Sequence, residues 1–92
     1  MNIQVTQPIA HLASAAVRIT LDGQLLGVIG PGESVSYEDP SHDERFPYEI
    51  IASCGHLYAT YHGHSDVNLQ IHWSYRLPYM ILQKTDRANQ SF

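Results

Sequence analysis

From Val17 to Leu21 apolar and polar residues alternate, with Val17, Ile19 and Leu21 on one side and Arg18, Thr20 and Asp22 on the other. A period of two places successive side chains on opposite faces of an extended strand. Asp22-Gly23 follows, a pair suited to the positive φ values of a tight primed turn. A second apolar run, Leu25, Leu26, Val28 and Ile29, then ends at Gly30-Pro31-Gly32. The stretch Ala16 to Tyr37 thus predicts a β-hairpin followed by a reversal. Because Leu25 to Ile29 is apolar on both sides, that strand is predicted to be covered on both faces or to lie at a subunit contact.

The same grammar runs along most of the chain. Val35 and Tyr37 alternate with polar neighbours, the runs Tyr48, Ile50, Ala52 and Leu57, Ala59, Tyr61 read as further strands, and Cys54-Gly55-His56 marks a break between the last two. The longest alternation sets Val67, Leu69, Ile71, Trp73 and Tyr75 against Asn68, Gln70, His72, Ser74 and Arg76, a pattern hard to read as helix. Ile3 and Val5 form a short strand before Pro8, predicted as an edge strand because proline lacks a donor. The Ala-rich stretch 9–16 reads as a turn of helix or an irregular crossing. Tyr79 to Leu82 supplies a last short strand.

About seven or eight short strands with regular turn signals predict an all-β fold, a small antiparallel β-sandwich, with a small β-barrel as the alternative. Its inner face is expected from Val17, Ile19, Leu21, Ile50, Leu57, Ala59, Leu69, Ile71 and Trp73. One domain over residues 1–84 and a polar, frayed tail over 85–92 complete the expected organisation. The acidic segment Asp39 to Arg45 holds no apolar residue and is expected to be an exposed, mobile loop.

Composition narrows the function. The chain has 92 residues, 43% of them hydrophobic and 15% charged, as expected of a globular domain. Five Lys+Arg against nine Asp+Glu give a net charge of -4, which offers no footprint for a phosphate backbone, so nucleic acid is not an expected partner. No window approaches the roughly 20 apolar residues of a membrane span. Cys54 is the single cysteine, which leaves no intrachain disulfide and suggests a cytoplasmic protein if the chain is full length, with the location open if it is a trimmed fragment.

The run Val17 to Gly27, VRITLDGQLLG, resembles the opening of PEGA-type and similar small bacterial β-domains, a strand, an Asp-Gly turn and a second Gly before another strand. The Pro-Gly-x-His element such domains often carry later is absent, its place taken by Asp39 to Pro47. The resemblance implies an accessory or interaction module of β-sandwich type and brings no catalytic residue with it.

Six histidines are the one surplus that points to chemistry, since imidazole is the commonest protein ligand of zinc, nickel and copper. His62, His64 and Asp66 alternate in HGHSD, and would share a face in a continued strand or converge in a turn. Exposed polar residues at a hairpin tip are the simpler expectation. If Tyr61 and Val67 pair across a hairpin, His56 falls opposite His72; a register slip of two residues removes that pair. The outward side of the same hairpin would gather Tyr58 and Thr60 with Asn68, Gln70, Ser74 and Arg76, groups that suit a sugar or peptide. Cys54 near His56 raises a nucleophile–base pair, but Cys54 continues the apolar register and is expected to pack as a small hydrophobe. With no nucleophile joined to a base and an orienting group, the expected function is a non-enzymatic binding or assembly module. Its partner is another protein or a second copy, a homodimer docking through Leu25–Ile29 or the Tyr79–Leu82 edge. A histidine-based metal-binding protein and a carbohydrate-binding module are the alternatives.

Overall fold

A computed structural model describes residues 1–9, 15–73 and 80–85. Eight strands follow in chain order: β1 (Asn2–Thr6), β2 (Val17–Leu21), β3 (Gln24–Ile29), β4 (Ser34–Glu38), β5 (Tyr48–Cys54), β6 (Leu57–Gly63), β7 (Val67–Trp73) and β8 (Met80–Lys84). They form two four-stranded sheets, ordered β4-β1-β7-β8 and β3-β2-β5-β6. Every pairing is antiparallel except that of β1 with β7. Neither sheet closes on itself, so the fold is a small β-sandwich rather than a barrel.

Alternation builds the interior as the sequence indicates. Val17, Ile19, Leu21, Ile50 and Ala52 from one sheet face Ile3, Val5, Val67, Leu69, Ile71 and Met80 from the other, all buried. Each such branched side chain contributes about 1.5–3 kcal/mol when fully withdrawn from water. Leu57, Ala59, Tyr61, Trp73 and Cys54 pack half-buried around this cluster. At its flanks β3 lies against β4 and β6 against β8. Gly27 allows the close approach on the first flank, since a Cβ there would stand 3.3 Å from Val35 Cγ2.

Turn chemistry fixes the hairpins. Asp22 and Gly23 both take positive φ, 48° and 84°, the requirement of the primed turn that matches strand twist. The turn is also tied sideways to β5: Asp22 N–H donates to the Glu49 carbonyl at 2.8 Å, and Glu49 N–H donates to Asp22 Oδ1 at 2.8 Å.

Two expectations are corrected. β1 is an interior strand, paired with β4 on one side and β7 on the other; Pro8 falls beyond its last paired residue and so removes no ladder bond. The second concerns β6 and β7, which are not a hairpin. β6 pairs with β5, setting Tyr61 opposite Ile50, whereas β7 pairs with β1 and β8, setting Val67 opposite Ile3. The chain changes sheets between them, over residues 64–66. At the end of β8 the Thr85 N–H and hydroxyl both donate to the Asn68 carbonyl. The crossing expected over 9–16 and the remainder of the tail fall largely or wholly outside the described residues.

Gln7 is a buried polar side chain at the end of β1. Its Nε2 donates to the carbonyls of Ile29 at 2.8 Å and Ala15 at 3.2 Å, and its Oε1 accepts from the Trp73 indole at 3.1 Å. Its main chain meets the Gly30–Glu33 corner, donating to Glu33 O and accepting from Gly32 N. Gln7→Ala strips three groups of a partner, and each unpaired buried group costs about 1–3 kcal/mol. Urea unfolding followed by Trp73 fluorescence is expected to show a loss of about 3 kcal/mol at unchanged m-value. A loss under about 0.5 kcal/mol would show that the amide is not a structural tie.

Candidate functional site

The outer face of β3-β2-β5-β6 is built by the residues that alternation turns away from the core. Register lays them in rows: Val28, Arg18, Ser53 and Tyr58 in one, Leu25, Thr20, Ile51 and Thr60 in the next, and Glu49 beside His62 at the far end. Val28, Leu25 and Tyr58 are 54%, 46% and 71% exposed. Three large apolar side chains thus stand in water on one sheet face, with half-buried Ile51 between them. Leu25 and Val28 stand on one edge strand and Tyr58 on the other, with Arg18, Ser53 and Thr20 between them, and exposed apolar groups of this size are the kind that interaction surfaces use.

A bulge explains why β3 presents both Leu25 and Val28. Between Ile19 and Thr20 the register shifts, so Gly27 lies opposite Ile19 and Leu25 opposite Thr20, with Leu26 as the additional residue. The bulge resets the alternation, sending Leu25 and Val28 outward while Ile29 stays in the core and Leu26 packs partly against it. The two-faced apolar pattern of this strand is therefore covered on one side within the chain and open on the other. Ile51 is the member that alternation alone passes over: beside buried Ile50 it must point out, and only pairing with Thr20 and Thr60 shows its place.

Charge on the face is polarised. Arg18 stands at one end; at the other are Asp22, in the turn, and Glu49, whose Oε2 lies 2.9 Å from His62 Nε2.

The histidines and aspartate proposed as ligands are dispersed. His62 is on β6, paired with Glu49, and His56 is in the β5–β6 turn, while His72 is on β7 in the other sheet, opposite Ile81. His56 and His72 therefore do not meet. Asp66 accepts the Asn2 N–H at 2.8 Å. His64 Nδ1 lies 3.1 Å from the Glu44 carbonyl, and His42 Nε2 lies 3.2 Å from the His64 carbonyl. Carbonyl oxygen only accepts, so each ring nitrogen carries its proton there. Among the described residues no three His, Cys, Asp or Glu side chains gather as a metal site would require.

The change of sheet also divides the second candidate face. Tyr58 and Thr60 stay on the β3-β2-β5-β6 face, Asn68 and Gln70 stand on the opposite outer face of the molecule, and Ser74 and Arg76 lie outside the described residues.

The two imidazole contacts change the expected character of the acidic loop. They clip residues 39–47 to the crossover at 64–66, and the loop is further organised from within. Asp39 Oδ1 accepts from the N–H and hydroxyl of Ser41, and the Arg45 guanidinium makes a forked contact with the Asp43 carboxylate. The hydrogen bond from Ser41 holds the Asp39 carboxyl below its ordinary range, and Arg45 does the same for Asp43. The loop is exposed as expected but internally tied. Beneath it the Tyr48 hydroxyl donates to Ser65 O at 2.5 Å, and the His42 ring meets Tyr48 edge-on. Gly63 makes room for this hydroxyl, as a Cβ there would lie 2.8 Å from it.

Comparison of the chain with protein-family models, with curated proteins and with solved structures finds no match.

Burial, with smaller effects from Tyr61 and Asp66, pushes the Tyr48 phenol from 10.0 up to about 12. The folded chain then keeps a proton that the unfolded chain loses. Stability is full below the unfolded pKa and falls as pH rises through the interval from 10.0 to about 12. Urea midpoints measured across this interval are expected to drop in the native chain. The drop should be distinctly smaller in Tyr48→Phe; equal slopes would exclude Tyr48 as its source.

Proposed function

We propose that this chain is a non-enzymatic binding and assembly module that forms a homodimer, a second copy seating on the outer face of β3-β2-β5-β6. The observation that carries the proposal is the exposure of Leu25, Val28 and Tyr58 on one sheet face. An interface centre rich in aromatic and aliphatic groups and poor in charge has this composition.

The distribution of charge favours self-pairing. A two-fold axis lying in the plane of the face and crossing the strands sets the Arg18 end of one copy over the Asp22 and Glu49 end of the other, and Val28 over Leu25. Such a face is complementary to itself, as a two-fold interface must be. The PEGA-like run at residues 17–27 supplies β2 and most of β3, which carry Arg18, Leu25 and Val28, in keeping with an accessory role. A non-catalytic role is supported by the engagement of three histidines in the fold, His42 and His64 on carbonyls and His62 on Glu49.

Sedimentation equilibrium across micromolar concentrations is expected to show a monomer–dimer equilibrium. Val28→Asp and Tyr58→Asp should each weaken it by about tenfold or more while leaving the urea midpoint in place when unfolding is measured at concentrations where the native chain is monomeric, since both side chains are exposed. Arg18→Glu should weaken it and Arg18→Glu/Glu49→Arg should recover part of the loss. A native chain that stays monomeric throughout the range overturns the proposal.

A further inference from the structure

The other sheet turns outward a face of different chemistry. Across β4, β1 and β7 the register places Gln4 between Ser36 and Asn68, Thr6 between Ser34 and Gln70, and Asn2 beside Glu38, while Gln83 of β8 stands next to Gln70. Around the depression these outward positions are amides and hydroxyls with a single carboxylate, while His72 and the exposed Ile81 stand opposite each other at the far end of the face. Among the described residues no lysine or arginine occupies this face. An open depression of about 570 Å³ lies over it, lined by Asn2, Gln4, Ser36, Glu38 and Asn68, with Ile3 and Tyr37 completing the walls.

We infer that this depression is a binding site for a neutral saccharide, distinct from the face that pairs two copies. The argument is one of matched hydrogen bonding. A carboxamide offers donors and an acceptor on one planar group, and a sugar hydroxyl is likewise donor and acceptor. Gln4 and Asn68 stand side by side on adjacent strands about 4.8 Å apart, with Asn2 two residues from Gln4 on the same strand, so several hydroxyls of one ring or of neighbouring rings meet partners together. Glu38 adds an acceptor that a hydroxyl satisfies and that repels an anion. Among the described residues no lysine or arginine stands on this face, which makes phosphates, nucleic acid and acidic peptides poor ligands. Apolar ligands are equally poor, because they would leave these amides unpaired. The strands hold the groups rigidly, which lowers the ordering cost of binding.

The test is titration of the native chain with neutral trisaccharides of gluco, manno and galacto configuration, read through backbone amide shifts in nuclear magnetic resonance. At least one is expected to give saturable shifts centred on Gln4, Ser36 and Asn68. The Gln4→Ala/Asn68→Ala variant should weaken that binding about tenfold, the equivalent of a lost pair of hydrogen bonds. Gln4→Glu alone, a change at an exposed position, should weaken it as well, and Tyr58→Asp should leave it unchanged. Absence of saturable shifts with all the sugars overturns the inference, as do shifts that persist unaltered in the double variant or that map to Tyr58 and Val28.

Discussion

The Gln7 carboxamide ties the two sheets together where their strands leave the sandwich. Its partners come from both layers: Ile29 ends β3, Ala15 leads into β2, and Trp73 ends β7. In a dry interior a polar group is tolerated when every donor and acceptor is paired, and a fully paired group then specifies one arrangement over its neighbours. Here the arrangement is the corner at Gly30–Glu33, which must return the chain from β3 in one sheet to β4 in the other. The same corner is held by the main chain of Gln7 on both sides. The placement of β4 beside β1 follows from this anchorage, and with it the outer face that carries Gln4 and Ser36.

A second tie stands on the other side of the molecule. The passage from β6 to β7 also crosses between sheets, and there the imidazoles of His42 and His64 clip the acidic loop to the crossover while Tyr48 holds Ser65 from below. Two of the four sheet changes thus use hydrogen bonds from side chains, buried or half-buried at Gln7 and Tyr48 and exposed at the two imidazoles, because a crossover has no strand neighbour to pair its backbone. Of the six histidines, His42 and His64 are donors in this place.

Strands were legible in the sequence and partners were not. Alternation at Val17–Leu21 and Val67–Trp73 states which side of a strand is dry, and Asp22-Gly23 states that its neighbours pair. Nothing in the alternation of Leu57–Tyr61 and Val67–Trp73 says whether the two runs share a sheet, since both are inward-facing in either case. Nearness in sequence suggested a hairpin; the tied loop at 39–47 and the space that Gly63 leaves for Tyr48 favour a change of layer instead. Gln7 was invisible for a related reason: a polar letter after a strand reads as solvent-facing, and only the convergence of distant carbonyls makes it a core residue. The apolar outer face was half legible. The two-sided pattern of Leu25–Ile29 signalled an uncovered surface, but the bulge that turns both Leu25 and Val28 outward, and the rows that bring them to Ile51 and Tyr58, arise from pairing.

The same topology leaves faces rather than edges open to contact. A sheet edge presents unpaired backbone groups and invites another strand, a hazard that β proteins suppress by covering it. Here β3 lies against β4 and β6 against β8, so each edge strand of one sheet is shielded along its flank by an edge strand of the other. With the edges shielded, the sandwich presents mainly the side chains of its two outer faces. Those faces have opposite chemistry, one apolar and aromatic with polarised charge, the other amide-rich and nearly uncharged. Opposed faces of a thin sandwich can be occupied at once, so self-association through one leaves the other facing solvent on both copies. A dimer built in this way would present two amide faces directed apart, so one short ligand could engage only one copy at a time.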